Sequence, residues 1–567
     1  MGEEKSWLKC TEDALSRKVI ESKDMISWSA FHASRLDVPV RKPDISSMLP
    51  LFYENAHSTE MVKHGMEVLK KATFHLNPDQ VPVITMDQPL FALGKQIQWQ
   101  WESLAEDKYV VMLGPFHTET MFLKTIGGWL KGSGWTEAIH EADILSSGRA
   151  DALVAVSSVT KTRYIHQVTI AALHTLMSKA YTIHVNHPEF DPKNSFEEWK
   201  AQMREKYPQF MYWDRVMQLE EILCQFVKSL RTGNFVLYVE ALQMMMPWVF
   251  AFDHVNYARW LTVHIRDMLK LESTHPDVHA EFTNGNFVVH RSLSKFSSIA
   301  MDQNHEQLNK QIKGDGGVKG LFNNKVSLDK WLIAGPEIAR FVSEFEDSVL
   351  EKHNSSLHHE QGYLRQCQFL EDVSKLVHTI EEHDNPFLDT GSELVNLYSK
   401  KIMSENAVKT MKNAFKLGQT QYETFWKERI DGDKPLSDTL AKNNLSIFNE
   451  NSDKKKVKTQ KDTLRKDCNL LARMYIGSST RDADLDEFFA HENQSIPPSL
   501  STVSGELRLG TKADLTKCLE NVLTEAAHFM KADTKIIDGA TIVNMIKPKG
   551  PGTFDDYVEK DILPYIR

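Results

Sequence analysis

No apolar run in this chain reaches the roughly 18 residues that a membrane-spanning helix needs, so no membrane span is expected. The start, Met-Gly-Glu-Glu-Lys-Ser, is charged and no apolar core follows, which argues against a secretory signal. Gly2 with Ser6 fits only the loose N-myristoylation pattern. Cysteine is scarce. The five residues Cys10, Cys224, Cys367, Cys468 and Cys518 are scattered, which excludes a CxxC zinc motif. With 23 histidines, they suit a reducing compartment, nuclear or cytoplasmic. Positive charge is short as well, at a net −10. A protein that grips long nucleic acid usually presents a basic surface. The balance counts against strong non-specific binding but leaves room for a local basic groove, because net charge does not fix its distribution. P-loop, GxGxxG, HExxH and GxSxG motifs are also absent. Gly314-Asp-Gly-Gly317 follows a helical stretch and reads as a C-cap and turn, not a phosphate cradle.

What is present is a long chain of ordinary globular composition. Its 567 residues allow two to four domains with full cores. Residues 1–75 read as an N-terminal helical region, with Met61-Val-Lys-His-Gly-Met-Glu-Val-Leu at helical spacing. Val81-Pro-Val-Ile-Thr-Met-Asp87 is a β-branched run that ends in an acid and leads into a helix over 88–101. Tyr109-Val-Val-Met-Leu113 leads through Gly114-Pro-Phe-His117 into a second helix, to about Leu130. Strand, acid, helix, strand, turn, helix is an α/β pattern with a parallel crossover. Nearly continuous apolar strands fit a sheet covered on both faces.

An α/β core is therefore expected over 76–200. A helical insertion (201–285) interrupts it and it resumes over 286–350, where 286–290 and 296–301 read as strands. Within this stretch 151–181 reads as one helix, and 214–230, 235–252 and 257–271 as others. A helical region (351–430), a polar linker (431–460) and a C-terminal α/β unit (461–567) follow. The fold class is α+β, mostly helical. The basic run Lys454-Lys-Lys-Val-Lys458 reads as a solvated linker, with a nuclear-import or phosphate-contact segment as the alternative.

Four residues stand out for chemistry. Asp87 ends a strand, where open α/β sheets bind ligands; it also suits a helix cap, with Pro89 in the first turn. Asp302 and Glu306, in Met301-Asp302-Gln-Asn-His-Glu306, lie four apart and share one helical face. Like charges there repel unless a cation offsets them, which points to metal or to plain exposure. His117 opens a helix and suits a metal, a phosphate or a backbone carbonyl. His254, Tyr257 and Arg259 form a candidate nucleic-acid-binding set, with packing inside the insertion as the simpler reading. His275 and His279 form a possible metal pair without a third ligand, and Met244-Met-Met246 reads as core filler.

These motifs carry a resemblance. Asp87-Gln-Pro-Leu, Leu113-Gly-Pro-Phe-His117, Tyr257-Ala-Arg-Trp, His275-Pro-Asp-Val and Asp302-Gln-Asn-His-Glu306-Gln look like those of a family of multicopy, transposon-derived proteins of cnidarians, molluscs and other invertebrates. That family in turn resembles RNase H-like transposases of the hAT-type plan, in which helices interrupt the core before its last acid. The resemblance covers roughly residues 45–350. It implies three acids with magnesium (Mg2+) cutting and rejoining DNA. Asp87 matches one strand-end acid and Glu306 the acid after the insertion. His117 matches a CxxH histidine whose cysteine is replaced by Gly114. The remaining acid has no clear counterpart; either Asp302 substitutes or the first strand is missing, and an N-terminal zinc-finger module is not seen. The expected metal set is Asp87, Asp302 and Glu306. The competing expectation is a non-catalytic binding remnant, or a helical scaffold. Phe488-Phe-Ala-His491-Glu-Asn493 and the run from Ile537 to Met545 resemble a tail segment of the same group that there precedes a further region. The stop at Arg567 then reads as a truncated copy or an incomplete gene model.

Overall fold

The structure is a computed structural model. It describes residues 2–17, 24–38, 41–44, 46, 49, 57–187, 195–292, 294–313, 324, 326–331, 334, 359–445 and 448, with 542, 545–546 and 553–566 near the C-terminus. Two compact units are present, Met1–Ser452 and Asp453–Arg567. In the second, the described residues include short helical turns at Phe554–Tyr557 and Leu563–Ile566. The basic run 454–458, the expected elements at 463–475, 512–530 and 534–538, and the Gly314–Gly317 break lie outside the described residues.

The first unit begins with α1 (Gly2–Arg17), α2 (Trp28–Arg35) and α3 (Thr59–Leu76). Ser58 caps α3 by accepting from the Met61 N–H, satisfying one of the helix's orphan donors. Strand β1 (Val83–Met86) follows, then α4 (Gln88–Gln100), β2 (Val110–Leu113) and α5 (Pro115–Leu130). The two strands are parallel, with Val83 opposite Val110 and Met86 opposite Leu113. This is the crossover that the alternation of apolar runs and helical spacing predicts. β2 is buried along its whole length.

The helical body follows: α6 (Trp135–Glu141), α7 (Ser147–Val154), α8 (Val159–Val185), α9 (Phe196–Lys206), α10 (Pro208–Thr232), α11 (Phe235–Ala251), α12 (Val255–Thr274) and α13 (Pro276–Thr283). Gly233, at φ +66°, closes α10 in the left-handed region that favours glycine, and Asn234 caps α11. α11 is apolar on nearly every side and is buried accordingly, Met245 and Met246 included. Trp129, Trp135, Trp199, Trp213 and Trp248 are all buried in this body.

After α14 (Met301–Lys313) come α15 (Tyr363–Glu382) and α16 (Glu405–Phe425), which packs on α11. No described helix is long and apolar enough to cross a membrane.

Two expectations are corrected. The 151–181 helix is broken into α7 and α8, with Val156 at φ +56° between them. The 286–290 and 296–301 strands reduce to a single antiparallel bridge, Val289 to Ile299. Phe287 instead joins an aromatic cluster with Phe235, Tyr238 and Phe282, and Phe296 turns at φ +63°. Two β-branched runs without a neighbouring strand make no sheet.

The sheet edge at β2 meets α12. The Leu113 N–H donates, at a long 3.5 Å, to Nδ1 of His264, whose Nε2 lies 2.9 Å from the Tyr238 hydroxyl. Burial lowers the His264 pKa to about 3. The unfolded chain therefore takes up a proton near pH 6.5 that the folded one refuses. Stability is full above that pH and falls as the pH drops towards 3. The expected loss is about 2 kcal/mol by pH 5. Urea midpoints between pH 7 and pH 5 check this, and the slope should flatten in His264→Gln.

Candidate functional site

Both strands end at one place. Asp87 directly follows β1 and Gly114 directly follows β2. Asp87 Oδ1 accepts from the Leu90 N–H at 3.2 Å, so Asp87 is the cap of α4. It also lines a cavity of about 540 Å³. His117, from the first turn of α5, lines the same cavity, as do Asp302 and Glu306 from α14. Its apolar walls come from Met61 and Leu69 on α3, Val83 and Ile84 on β1, and Met301.

Asp302 is the best-held of the three acids, at 7% exposure. Its Oδ1 accepts from the Phe116 N–H at 3.0 Å, and its Oδ2 accepts from the His117 N–H, also at 3.0 Å. His117 Nδ1 reaches that same oxygen at 3.0 Å. The carboxylate therefore sits on the positive end of α5, where the first N–H groups have no partner within the helix. Gly114 makes the approach possible: a Cβ there would overlap Asp302 Oδ2 and press on the Met86 carbonyl. The two motifs, Gly114-Pro-Phe-His117 and Asp302 to Glu306, are thus one structural unit. The hydrogen bond to Asp302 raises the His117 pKa, and the charges of Asp87 and Glu306 add to the rise. With Nδ1 turned to Asp302, His117 Nε2 has no hydrogen bond among the described residues.

Tyr257 donates its hydroxyl to the His117 carbonyl at 3.3 Å, and burial lifts its pKa to about 12. The rest of the expected nucleic-acid set lies elsewhere. His254 Nε2 pairs with the Thr125 hydroxyl at 2.9 Å. Arg259 donates to the carbonyls of Ser437 and Asp438. The three do not form one groove; only Tyr257 reaches the site. His275 ends α12, while His279 rests edge-on against Phe235.

Among the described residues, no group of three or more His, Cys, Asp or Glu side chains is placed to hold a metal. Asp302 is spent on three donors and does not fit as a ligand. Asp87 Oδ2 and the exposed Glu306 carboxylate have no hydrogen bond or ion pair among the described residues. Magnesium commonly binds through one or two carboxylates, retaining waters. Asp87 and Glu306 are thus two uncommitted carboxylates lining one cavity, and the three-acid set that the resemblance implies is not placed to hold a metal. Sequence reasoning missed the role of Gly114, whose Gly-Pro turn was the available signal, and the contribution of α3.

Fold and site define a mostly helical α+β protein with an acid- and histidine-lined cavity at the ends of two parallel strands. The chain belongs to the family described as a domain of unknown function, DUF8702, whose model matches residues 27–189 and 170–492. Neither curated proteins nor solved structures provide a match.

Proposed function

We propose that this cavity is the centre of a transposon-derived, RNase H-like protein that acts on DNA as a magnesium-dependent nuclease or polynucleotidyl transferase. One observation carries the reading: Asp87, His117, Asp302 and Glu306 come from three separate stretches and line one cavity beyond two parallel strands. Ligands of open α/β sheets bind outside the carboxyl ends of the strands. On this reading β1 and β2 belong to an RNase H-like core interrupted by the helices between α5 and α14.

Asp87 and Glu306 would hold magnesium there, and the bound ion would supply an activated water and charge stabilisation at the leaving oxygen. Asp302 is a positioning residue that fixes the ring of His117 through Nδ1. When the ring is protonated, its Nε2 is the donor for a phosphate oxygen. Tyr257 steadies the first turn of α5 from outside.

The test is labelled DNA with magnesium, wild type beside Asp87→Ala. Magnesium-dependent cleavage by the wild type and its disappearance in the variant are expected. Asp302→Asn should retain cleavage, reduced about 10- to 100-fold, as for groups that orient a ligand. Products unchanged by Asp87→Ala rule Asp87 out. A second reading, a binding remnant without catalysis, draws on the commitment of Asp302 to α5. It predicts DNA retardation in a gel without any cleavage.

A further inference from the structure

The cavity that holds the acids is otherwise apolar. Met61 and Leu69 share one face of α3, and they line it together with Val83 and Ile84 on β1, Leu90 and Met301. None of these six side chains is fully buried, so the cavity keeps apolar surface in contact with solvent. Gly65 lies between Met61 and Leu69, well inside α3, and lines the cavity too. A glycine inside a helix costs about 1 kcal/mol relative to alanine. Packing does not ask for one here: among the described residues nothing lies within 4 Å of the place its Cβ would take. The missing side chain leaves the cavity open along α3.

The charge of the lining has one sign to spare. Asp87, Asp302 and Glu306 line the cavity, and no described lysine or arginine does. Its two histidines, His117 and His305, are fewer than its acids even when both carry a proton. Asp302 is answered by the first N–H groups of α5 and by His117. Asp87 Oδ2 and the Glu306 carboxylate are not answered among the described residues. Small-molecule sites combine apolar walls with a few polar groups that fix orientation. Apolar walls beside unanswered anions are complementary to a molecule with an apolar body and a cationic head.

We infer that this cavity binds a hydrophobic amine, with the ammonium at Asp87 and Glu306 and the alkyl chain along α3 and β1. Its volume of about 540 Å³ lies within the roughly 300–1,000 Å³ of small-molecule sites. The amine needs neither DNA nor magnesium. The inference goes beyond the nuclease reading and does not rest on it; the two share only the uncommitted acids.

The experiment is calorimetric titration of the full chain, in magnesium-free buffer, with n-octylamine, octan-1-ol and octanoate: one chain length and three head charges. The amine should bind about tenfold more tightly than the alcohol, the worth of one hydrogen-bonded charge, and octanoate should show no saturable binding. Glu306→Gln should weaken the amine about five- to tenfold and leave the alcohol unchanged. Gly65→Leu fills the open space with a better helix former. It should abolish binding of amine and alcohol with circular dichroism matching the wild type. Absence of amine binding by the wild type overturns the inference. So does alcohol or octanoate bound as tightly as the amine, or amine bound by Gly65→Leu as by the wild type, which places it elsewhere on the chain. Manganese bound where the amine is not would overturn this inference and leave the nuclease reading standing.

Discussion

Gly114→Ala is expected to lose about 3 kcal/mol of stability and to disorganise the acidic cavity. The new methyl would occupy the place of Asp302 Oδ2 and crowd the Met86 carbonyl. The backbone carbonyl is tied to the Gly114 N–H at 2.7 Å and has little freedom. Asp302 must then withdraw, abandoning two N–H donors and the His117 ring. Overpacking alone costs about 1–3 kcal/mol, and hydrogen bonds to a charged group contribute about 1.5–3 kcal/mol each. A double-mutant cycle isolates the cause. Asp302→Ala destabilises by itself, and adding Gly114→Ala to it should cost little, because the clashing oxygen has gone. Full additivity in urea unfolding would show that Gly114 matters for some other reason.

The second large effect is expected at Arg163. Its guanidinium donates to Glu119 through Nε at 2.8 Å and Nη2 at 2.6 Å, joining α8 to α5. Glu119 is 1% exposed, so Arg163→Ala strands a carboxylate inside the body. Breaking a buried pair from one side costs about 3–5 kcal/mol. Replacing both partners, with Glu119→Leu and Arg163→Met, should recover most of that loss, because two well-packed apolar residues carry no desolvation penalty. Denaturant midpoints of the single and double variants check this. A double variant as unstable as Arg163→Ala alone would contradict it.

Much of the local structure around the site is legible in the sequence. Val81 to Asp87 reads as strand, acid and helix because β-branched residues give way to an acid and a proline. The structure places β1, the Asp87 cap and α4 there. Gly114-Pro115 likewise marks the entry to α5. The partner of Asp302 was not legible: its bond to the Phe116 N–H spans 186 positions. Spacing of four residues puts Asp302 and Glu306 on one face but cannot tell which N–H groups one of them meets. The strands expected at 286–290 and 296–301 failed for a related reason. Alternation marks a residue run as able to pair, while pairing needs a neighbour, and Phe287 found aromatic rings instead. His254, Tyr257 and Arg259 lie within one turn or so of helix, yet each reaches a different part of the molecule.

On the proposed function, Asp87 and Glu306 together hold a divalent ion while Asp302 serves His117. Manganese binding, followed by electron paramagnetic resonance in the wild type and in Asp87→Ala, Glu306→Ala and Asp302→Asn, tests it directly. One bound ion is predicted in the wild type, lost in the first two variants and retained in the third. Binding that survives Asp87→Ala and Glu306→Ala, or that disappears only with Asp302→Asn, contradicts it.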